Sequence, residues 1–162
     1  MSVNHFTLTK EYLHQIFEYR NGGLFWKINK QKIQAGNKAG TVSYSRPYVR
    51  ITLNGKKYQE HRLVFLMFNG FLPKQLDHIN GLKNDNRIEN LRICTQSQNQ
   101  FNIKPKNLCK NVSVYKKTGK WQVQLKINQK TIHFGYFDDL ELADLVAHEA
   151  RDKYHGKFAR HN

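Results

Sequence analysis

The segment Leu76 to Arg92, LDHINGLKNDNRIENLR, constrains this chain more than any other. Its interior is Asn, Asp, Gly and Arg, with side chains that bond their own backbone or tolerate left-handed conformations, so it reads as loop. It starts with an Asp-His pair directly behind an apolar residue and closes on NLRI, a strand pattern. The expectation is a long polar loop held between two short strands. On a strand, Asp77 and His78 point to opposite faces unless the backbone turns there. Two readings of the pair stay open: a carboxylate that orients a structural histidine, or half of a site for phosphodiester hydrolysis. The second needs a cation to offset charge on the attacked phosphate and leaving oxygen, and an imidazole to take a proton from water near neutral pH. A second oxygen ligand must come from elsewhere, and Asn99, on a helix expected after LRIC, is the candidate. Oxygen-rich, sulfur-poor surroundings suit Mg²⁺ or a similar hard divalent ion better than structural zinc. The loop is not an EF-hand, because Ile79 stands where Asp or Asn is required.

Patterns on either side divide the chain. Thr9 is placed to cap a short helix through EYLHQIF, NGGLFW reads as a turn into a strand, and residues 29–40 read as a loop or basic arm. YVRITLNGKKYQEHR is an alternating strand, an Asn54-Gly55 hairpin turn and a return strand. HRLVFLMF, from His61 to Phe68, reads as a buried helix stopped by Gly70 and Pro73, although eight residues do not settle the period and leave a strand open. Thr95 caps a helix running to about Asn102, and Pro105 ends that region. Three strand candidates then follow, NVSVY, KWQVQLKI and KTIHFG, joined at Thr118-Gly119 and Asn128-Gln129, with a helix from DDLELADL to Gly156. The fold class is therefore α+β. The expected parts are a lead-in over 1–58, a central unit over 59–104 and a small module over 105–162, with the boundary within KPKNLCK.

Charge narrows the partner. Lys and Arg number 27 against 12 Asp and Glu, a net +15, and the excess runs from Lys27 to Arg160 rather than sitting in a tail. A field of that sign favours a polyanion, nucleic acid before anionic membrane. No apolar run approaches membrane-spanning length and the N-terminus lacks a signal-peptide pattern, so neither insertion nor secretion is expected. Cys94 and Cys109 are too few for a disulfide scaffold and form no Cys-x-x-Cys pair for zinc; both are expected free.

From His61 to Asn102, the succession Leu-Asp-His-Ile-Asn-Gly, Asp-Asn-Arg, Asn-Leu-Arg and Asn-x-x-Asn closely resembles the HNH homing-type endonucleases of phages and their introns. The resemblance implies a ββα-metal unit, a hairpin and helix around one divalent cation, and a phage-encoded enzyme acting in the host cytoplasm. It implies that Asp77 binds metal, that His78 is the general base, and that Asn90 ties the loop and steadies the histidine. It makes Asn99 the second metal ligand. His61 corresponds to a histidine ahead of the motif, for which packing and phosphate contact both remain open. Many HNH enzymes carry histidine at the helix position. A neutral amide binds more weakly, which implies Mg²⁺ or Mn²⁺ and no structural zinc. Arg87 and Arg92 either grip phosphate or brace the loop, Arg87 against Asp85 or Glu89, and Lys74 and Lys83 are surface candidates for phosphate contact.

In the last module, Trp121, Val123, Leu125 and Ile127, with Ile132 and Phe134, are expected on one sheet face, covered by Leu142, Leu145, Val146 and Ala150 of the helix. Lys and Gln side chains occupy the other face, which is either simply solvated or equipped to bind phosphates and base edges. GKW, FGYFDD and the helix ending in YHG resemble an AP2-type DNA-binding domain, a three-stranded sheet backed by a helix. The resemblance implies DNA contacts from Lys117, Lys120, Gln122, Gln124, Lys126 and His133, although several arginines usual on that sheet are Lys, Gln or Ser here. Ahead of the motif, EYLHQIFEYRNGGLFW resembles the lead-in of phage HNH proteins, and Arg46, Arg50, Lys56 and Lys57 of the first hairpin are further candidates for DNA contact, as is Arg92. The expected function is a metal-dependent endonuclease on double-stranded DNA, working as a monomer or weak dimer. The competing one is a DNA-binding regulator on a catalytically silent HNH scaffold; an RNA-binding or membrane-surface role is a third class.

Overall fold

Thr9 starts the first helix by accepting a hydrogen bond from the Tyr12 N–H at 3.2 Å, and α1 runs Lys10–Ile16. The computed structural model describes residues 7–29, 32–43, 46–102 and 109–161, with the backbone only at Ser43 and Arg46. Two compact units emerge, Met1–Ile93 and Cys94–Asn162. Most of the boundary segment expected at 104–110 lies outside the described residues.

In the first unit, Phe17 leaves the helix for an extended conformation and opens β1 (Phe17–Arg20), one residue before the expected helix end. It pairs antiparallel with β2 (Gly23–Trp26) through Asn21 and Gly22, both at positive φ, a two-residue turn whose twist suits a hairpin. Residues after Trp26 are not a free basic arm. Trp26 N–H donates to the Asn37 carbonyl at 2.9 Å and Ala39 N–H to the Leu24 carbonyl at 2.7 Å, which returns the chain along β2 and buries Ala39. Strands β3 (Thr41–Ser43), β4 (Arg46–Leu53) and β5 (Lys56–Gln59) form one antiparallel sheet with β4 in the centre, and Asn54-Gly55 makes the expected turn.

Helix α2 (Glu60–Asn69) is stopped by Gly70 in the left-handed region, its N–H bonded to the Leu66 carbonyl. Leu63, Val64, Leu66 and Met67 pack with Leu13, Phe17, Leu24 and Ile51 in a single core. Each of these buried aliphatic and aromatic side chains contributes about 1.5–3 kcal/mol relative to exposure. Against that core lies a two-stranded ladder, β6 (Leu76–His78) and β7 (Leu91–Ile93), with Leu76 and Leu91 anchoring it.

The second unit begins at Cys94. Thr95 and Gln98 cap α3 (Gln96–Phe101) reciprocally: Thr95 Oγ1 accepts from the Gln98 N–H, and Gln98 Oε1 from the Thr95 N–H. This helix belongs to the second unit because Phe101 stacks on His155 with centroids 3.6 Å apart, while Lys110 Nζ caps the Phe101 carbonyl. Strands β8 (Val112–Val114), β9 (Trp121–Ile127) and β10 (Lys130–Phe137) form an antiparallel sheet in the order β10-β9-β8, backed by α4 (Leu140–His155) with Asp139 as its cap.

Three expected core residues are not in that core. Leu142 and Leu145 are 50% and 57% exposed and Ile132, on an edge strand, is also exposed. The helix face that meets Val112, Val123 and Leu125 is Ala143, Ala147 and Ala150, flanked by Leu140 and Val146. Alanines spaced by four and three residues form one stripe, and their small size lets the helix seat directly on the sheet, which turns Leu142 and Leu145 to solvent.

Candidate active site

The β6–β7 ladder carries the centre of the site. Register pairs Asp77 with Arg92 and His78 with Leu91, so the two polar side chains of β6 leave opposite faces of a two-stranded ribbon. Both are buried.

On one face, Arg92 donates from Nε and Nη2 to the same oxygen, Asp77 Oδ2, at 2.9 and 2.7 Å. Of the two roles open to Arg92, this is the brace. The guanidinium thus pairs with a carboxylate that has little water around it.

On the other face, His78 sits among three elements. His61 of α2 meets it edge to face with centroids 5.0 Å apart, and Tyr48 of β4 lies 5.4 Å from His61 and 6.2 Å from His78. Lys83 from the loop stands over the Tyr48 ring at 5.3 Å. Burial drives the His61 imidazole down to about 3, with the charges of His78 and Arg62 pushing the same way, so it is neutral throughout the physiological range. Burial also raises the Tyr48 phenol, helped by the Asp77 charge.

Behind His78 runs a chain of buried hydrogen bonds through two residues absent from the sequence-derived site, Asn86 and Glu60, each only 1% exposed. His78 Nε2 lies 3.0 Å from Asn86 Oδ1, Asn86 Nδ2 donates to Glu60 Oε2 at 2.7 Å, and Glu60 Oε1 accepts from the Leu24 N–H at 2.9 Å. Burial raises the Glu60 carboxyl above the usual range, while the bonds from Leu24 and Asn86 and the charge of Lys38 act to lower it. One signal for Glu60 was present: it shares the i, i+3, i+4, i+7 stripe with Leu63, Val64 and Met67, so the helix that buries them buries it. Asn86 stood in the Asp-Asn-Arg step of the motif, but nothing in its polar neighbours told it to be buried.

The loop itself is tied from within. Asn90 Oδ1 accepts from the Asn80 N–H at 3.0 Å, and Asn90 Nδ2 donates to Asn80 Oδ1 and to the Asp85 carbonyl, at 3.0 and 2.7 Å. Asn80 Nδ2 reaches Asp85 Oδ2, and Arg87 clamps both Asp85 oxygens at 2.8 Å, which holds that carboxyl far below its ordinary range. Gly22 of the first hairpin abuts this loop: a Cβ there would sit 2.7 Å from the Arg87 nitrogen.

The described residues contain no group of three or more His, Cys, Asp or Glu gathered as a metal cluster. In the first unit the oxygen donor is the buried Asp77 carboxylate; Asn99, the expected second ligand, is half-buried on α3 of the second unit. A buried carboxylate oxygen suits a hard divalent ion such as Mg²⁺, and it lacks the closed nitrogen and sulfur donor set of a structural zinc site.

Among the candidate DNA contacts, Arg50 and Lys57 share the β4–β5 face that also carries Tyr48, opposite the core residues Val49, Ile51 and Leu53. Lys56 is exposed beside the turn, and the Arg46 side chain lies outside the description. In the second unit, Gln122, Gln124 and Lys126 of β9 face the same way as Ser113, Thr131, His133 and Tyr136 of its neighbours. One aromatic residue of this face, Tyr136, carried no signal in the sequence; it lies 4.8 Å from Tyr115 and 4.4 Å from His133. Lys117 is exposed before the turn, and Lys120 pairs with Asp138 at 2.9 Å. Neither Cys94 nor Cys109 is in a disulfide. No helix among the described residues is long and apolar enough to cross a membrane.

Residues 58–101 match the family model described as HNH endonuclease. Over 111 residues the chain is 31% identical to Protein 3.8 of Escherichia phage T7, a span covering 65% of this chain and 91% of that protein. No solved structure gives a significant match. The family segment contains Glu60, His61, Asp77, His78, Asn86, Asn90, Arg92 and Asn99.

Proposed function

We propose that this chain, which belongs to the HNH endonuclease family, is a metal-dependent, site-specific DNA endonuclease of the homing type that acts inside a phage-infected cell. The observation that carries the reading is the buried Asp-His pair on β6, its two side chains on opposite faces of a short ribbon inside the family segment. Asp77 and Asn99 would hold one Mg²⁺ or Mn²⁺, which when bound offsets charge on the attacked phosphate and the leaving oxygen. His78 takes a proton from the attacking water. His61, neutral and packed on His78, fixes the plane of that ring without adding a competing charge. Asn90 keeps the loop closed at the point where it carries Asn86 to His78.

Binding to duplex DNA is distributed over both units. Arg50 and Lys57 lie on the strand face that carries Tyr48, which supports phosphate contact beside the reacting centre. The open sheet face of the second unit, with its glutamines, His133 and two tyrosines, supports target recognition in the manner of an AP2-type domain.

One observation favours a second reading, a non-catalytic DNA-binding protein on an HNH scaffold. The Arg92 guanidinium already occupies one oxygen of the Asp77 carboxylate. Mapping the ends produced from supercoiled plasmid and phage-genome DNA in Mg²⁺ and Mn²⁺ separates the two. The endonuclease leaves defined nicks or breaks, and His78→Ala abolishes them with DNA binding retained. Intact DNA with the unaltered protein in both metals refutes it.

A further inference from the structure

A neutral imidazole has one nitrogen with a proton and one with a lone pair, and its hydrogen bonds decide which is which. The buried chain behind His78 makes that decision in three steps. The Leu24 backbone N–H can only donate, so Glu60 Oε1 accepts it at 2.9 Å. The group at 2.7 Å from its Oε2 is the Asn86 NH₂, which donates there, so both Glu60 oxygens act as acceptors. That orientation turns the Asn86 carbonyl oxygen to His78 Nε2 at 3.0 Å, and a carbonyl only accepts. Nε2 must therefore carry the proton, and the lone pair of the neutral ring falls on Nδ1.

We propose that Glu60 and Asn86 are positioning residues that hold His78 in its Nε2-protonated tautomer and thereby select Nδ1 as the atom that accepts the proton of the attacking water. The assignment rests on the nuclease reading given above and specifies how its base is set. It has the form of the general rule that a buried group bonded to one imidazole nitrogen fixes the chemistry of the other. Here the fixing group is a neutral amide. The amide is ambiguous by itself, since it can donate or accept toward the ring, and the carboxylate behind it removes the ambiguity. Both residues are sealed from water, so no solvent molecule competes for either bond.

The decisive variant is Glu60→Gln, which keeps the shape and supplies a proton where the carboxylate had none. The introduced amide can still accept from Leu24 through its oxygen while its NH₂ donates to Asn86 Oδ1. The Asn86 amide then turns over, presents its NH₂ to Nε2 and moves the ring proton to Nδ1. Long-range ¹H–¹⁵N spectra of the full chain, recorded where the imidazoles are neutral and with His78 assigned from its absence in His78→Gln, read the tautomer without any reaction. In the unaltered protein the lone-pair nitrogen is expected to be Nδ1, and in Glu60→Gln it is expected to be Nε2. Asn86→Ala leaves the Glu60–Leu24 bond in place and removes the acceptor, and the preference is expected to disappear into a mixture. Cleavage by Glu60→Gln is expected to fall by about 10²–10⁴-fold, the range for losing a general base, with DNA affinity unchanged. A lone pair on Nε2 in the unaltered protein, or the same tautomer in all three chains, overturns the proposal. So does undiminished cleavage by a Glu60→Gln chain whose tautomer has switched. The failure of the nuclease reading shows itself differently, as intact DNA with the unaltered protein, and the spectra report on the tautomer in that case as well.

Discussion

Acid should attack the first unit through His61, and the size of the effect follows from where the ring sits. His61 is 5% exposed on α2, wedged between Tyr48 and His78. Burial withholds the water an imidazolium needs, and its pKa falls from 6.5 to about 3. The unfolded chain exposes the same ring to water and takes a proton at the ordinary value, so as pH falls the unfolded state is protonated first. Stability from this group is therefore complete above about pH 6.5 and is lost as pH falls through the range down to about 3. At about 1.4 kcal/mol for each tenfold change, the whole span corresponds to about 5 kcal/mol, of which about 2 kcal/mol is gone by pH 5. That is a large fraction of the 5–15 kcal/mol typical of a domain. The measurement is urea unfolding at pH 7.5 and pH 5 of the unaltered chain and of His61→Phe, which keeps an aromatic ring and removes the titration. The unaltered chain should lose about 2 kcal/mol more than His61→Phe between the two pH values. Equal losses in both chains would refute the reasoning, because His61 would then not be the group that acid must charge.

Two substitutions test the supports of the site. Gly22→Ala puts a side chain at φ +85° with its Cβ 2.7 Å from the Arg87 nitrogen; left-handed strain and displacement of that backbone together should cost about 2–4 kcal/mol in urea unfolding, and a loss below about 1 kcal/mol would mean the loop yields freely. Arg92→Ala leaves the buried Asp77 carboxylate without its guanidinium and should cost about 3–5 kcal/mol in metal-free buffer. Mg²⁺ should then raise the melting temperature of Arg92→Ala more than that of the unaltered chain, because a cation replaces the lost positive charge at Asp77; equal Mg²⁺ shifts would remove Asp77 from the ligand set.

Much of the fold was legible because its signals are local. Asn54-Gly55 dictates a hairpin whatever surrounds it, Thr9 and Thr95 cap their helices through bonds three residues long, and Gly70 ends α2 through a backbone conformation. The failures needed tertiary information. Phe17-Glu18-Tyr19-Arg20 follows a helix with no break residue, and it becomes strand only because GLFW returns beside it. Leu142 and Leu145 are better core residues than alanine by hydrophobicity alone, but the sheet is approached by a helix face without bulk, and fit decided against them.

The candidate site divides along the same line, and the division explains why Asn86 was missed while Asp77 and His78 were not. An Asp-His pair behind an apolar residue marks itself, because two ionisable groups entering a core need partners wherever they go. Asn86 stands in NDNRIEN, where four of seven residues are Asn or Asp, and composition cannot tell the one that is buried from those that are solvated. What selects it is a carboxylate 26 residues earlier, which α2 carries into the core on the stripe of Leu63, Val64 and Met67. Glu60 buried in that position costs stability unless its oxygens are bonded, and Leu24 satisfies only one of them. The second oxygen demands a donor, Asn86 supplies it, and the amide is then obliged to offer its carbonyl to the next ring along, which is His78. The orientation of the base is thus a consequence of burying Glu60, and it becomes visible only when helix, loop and strand are brought together.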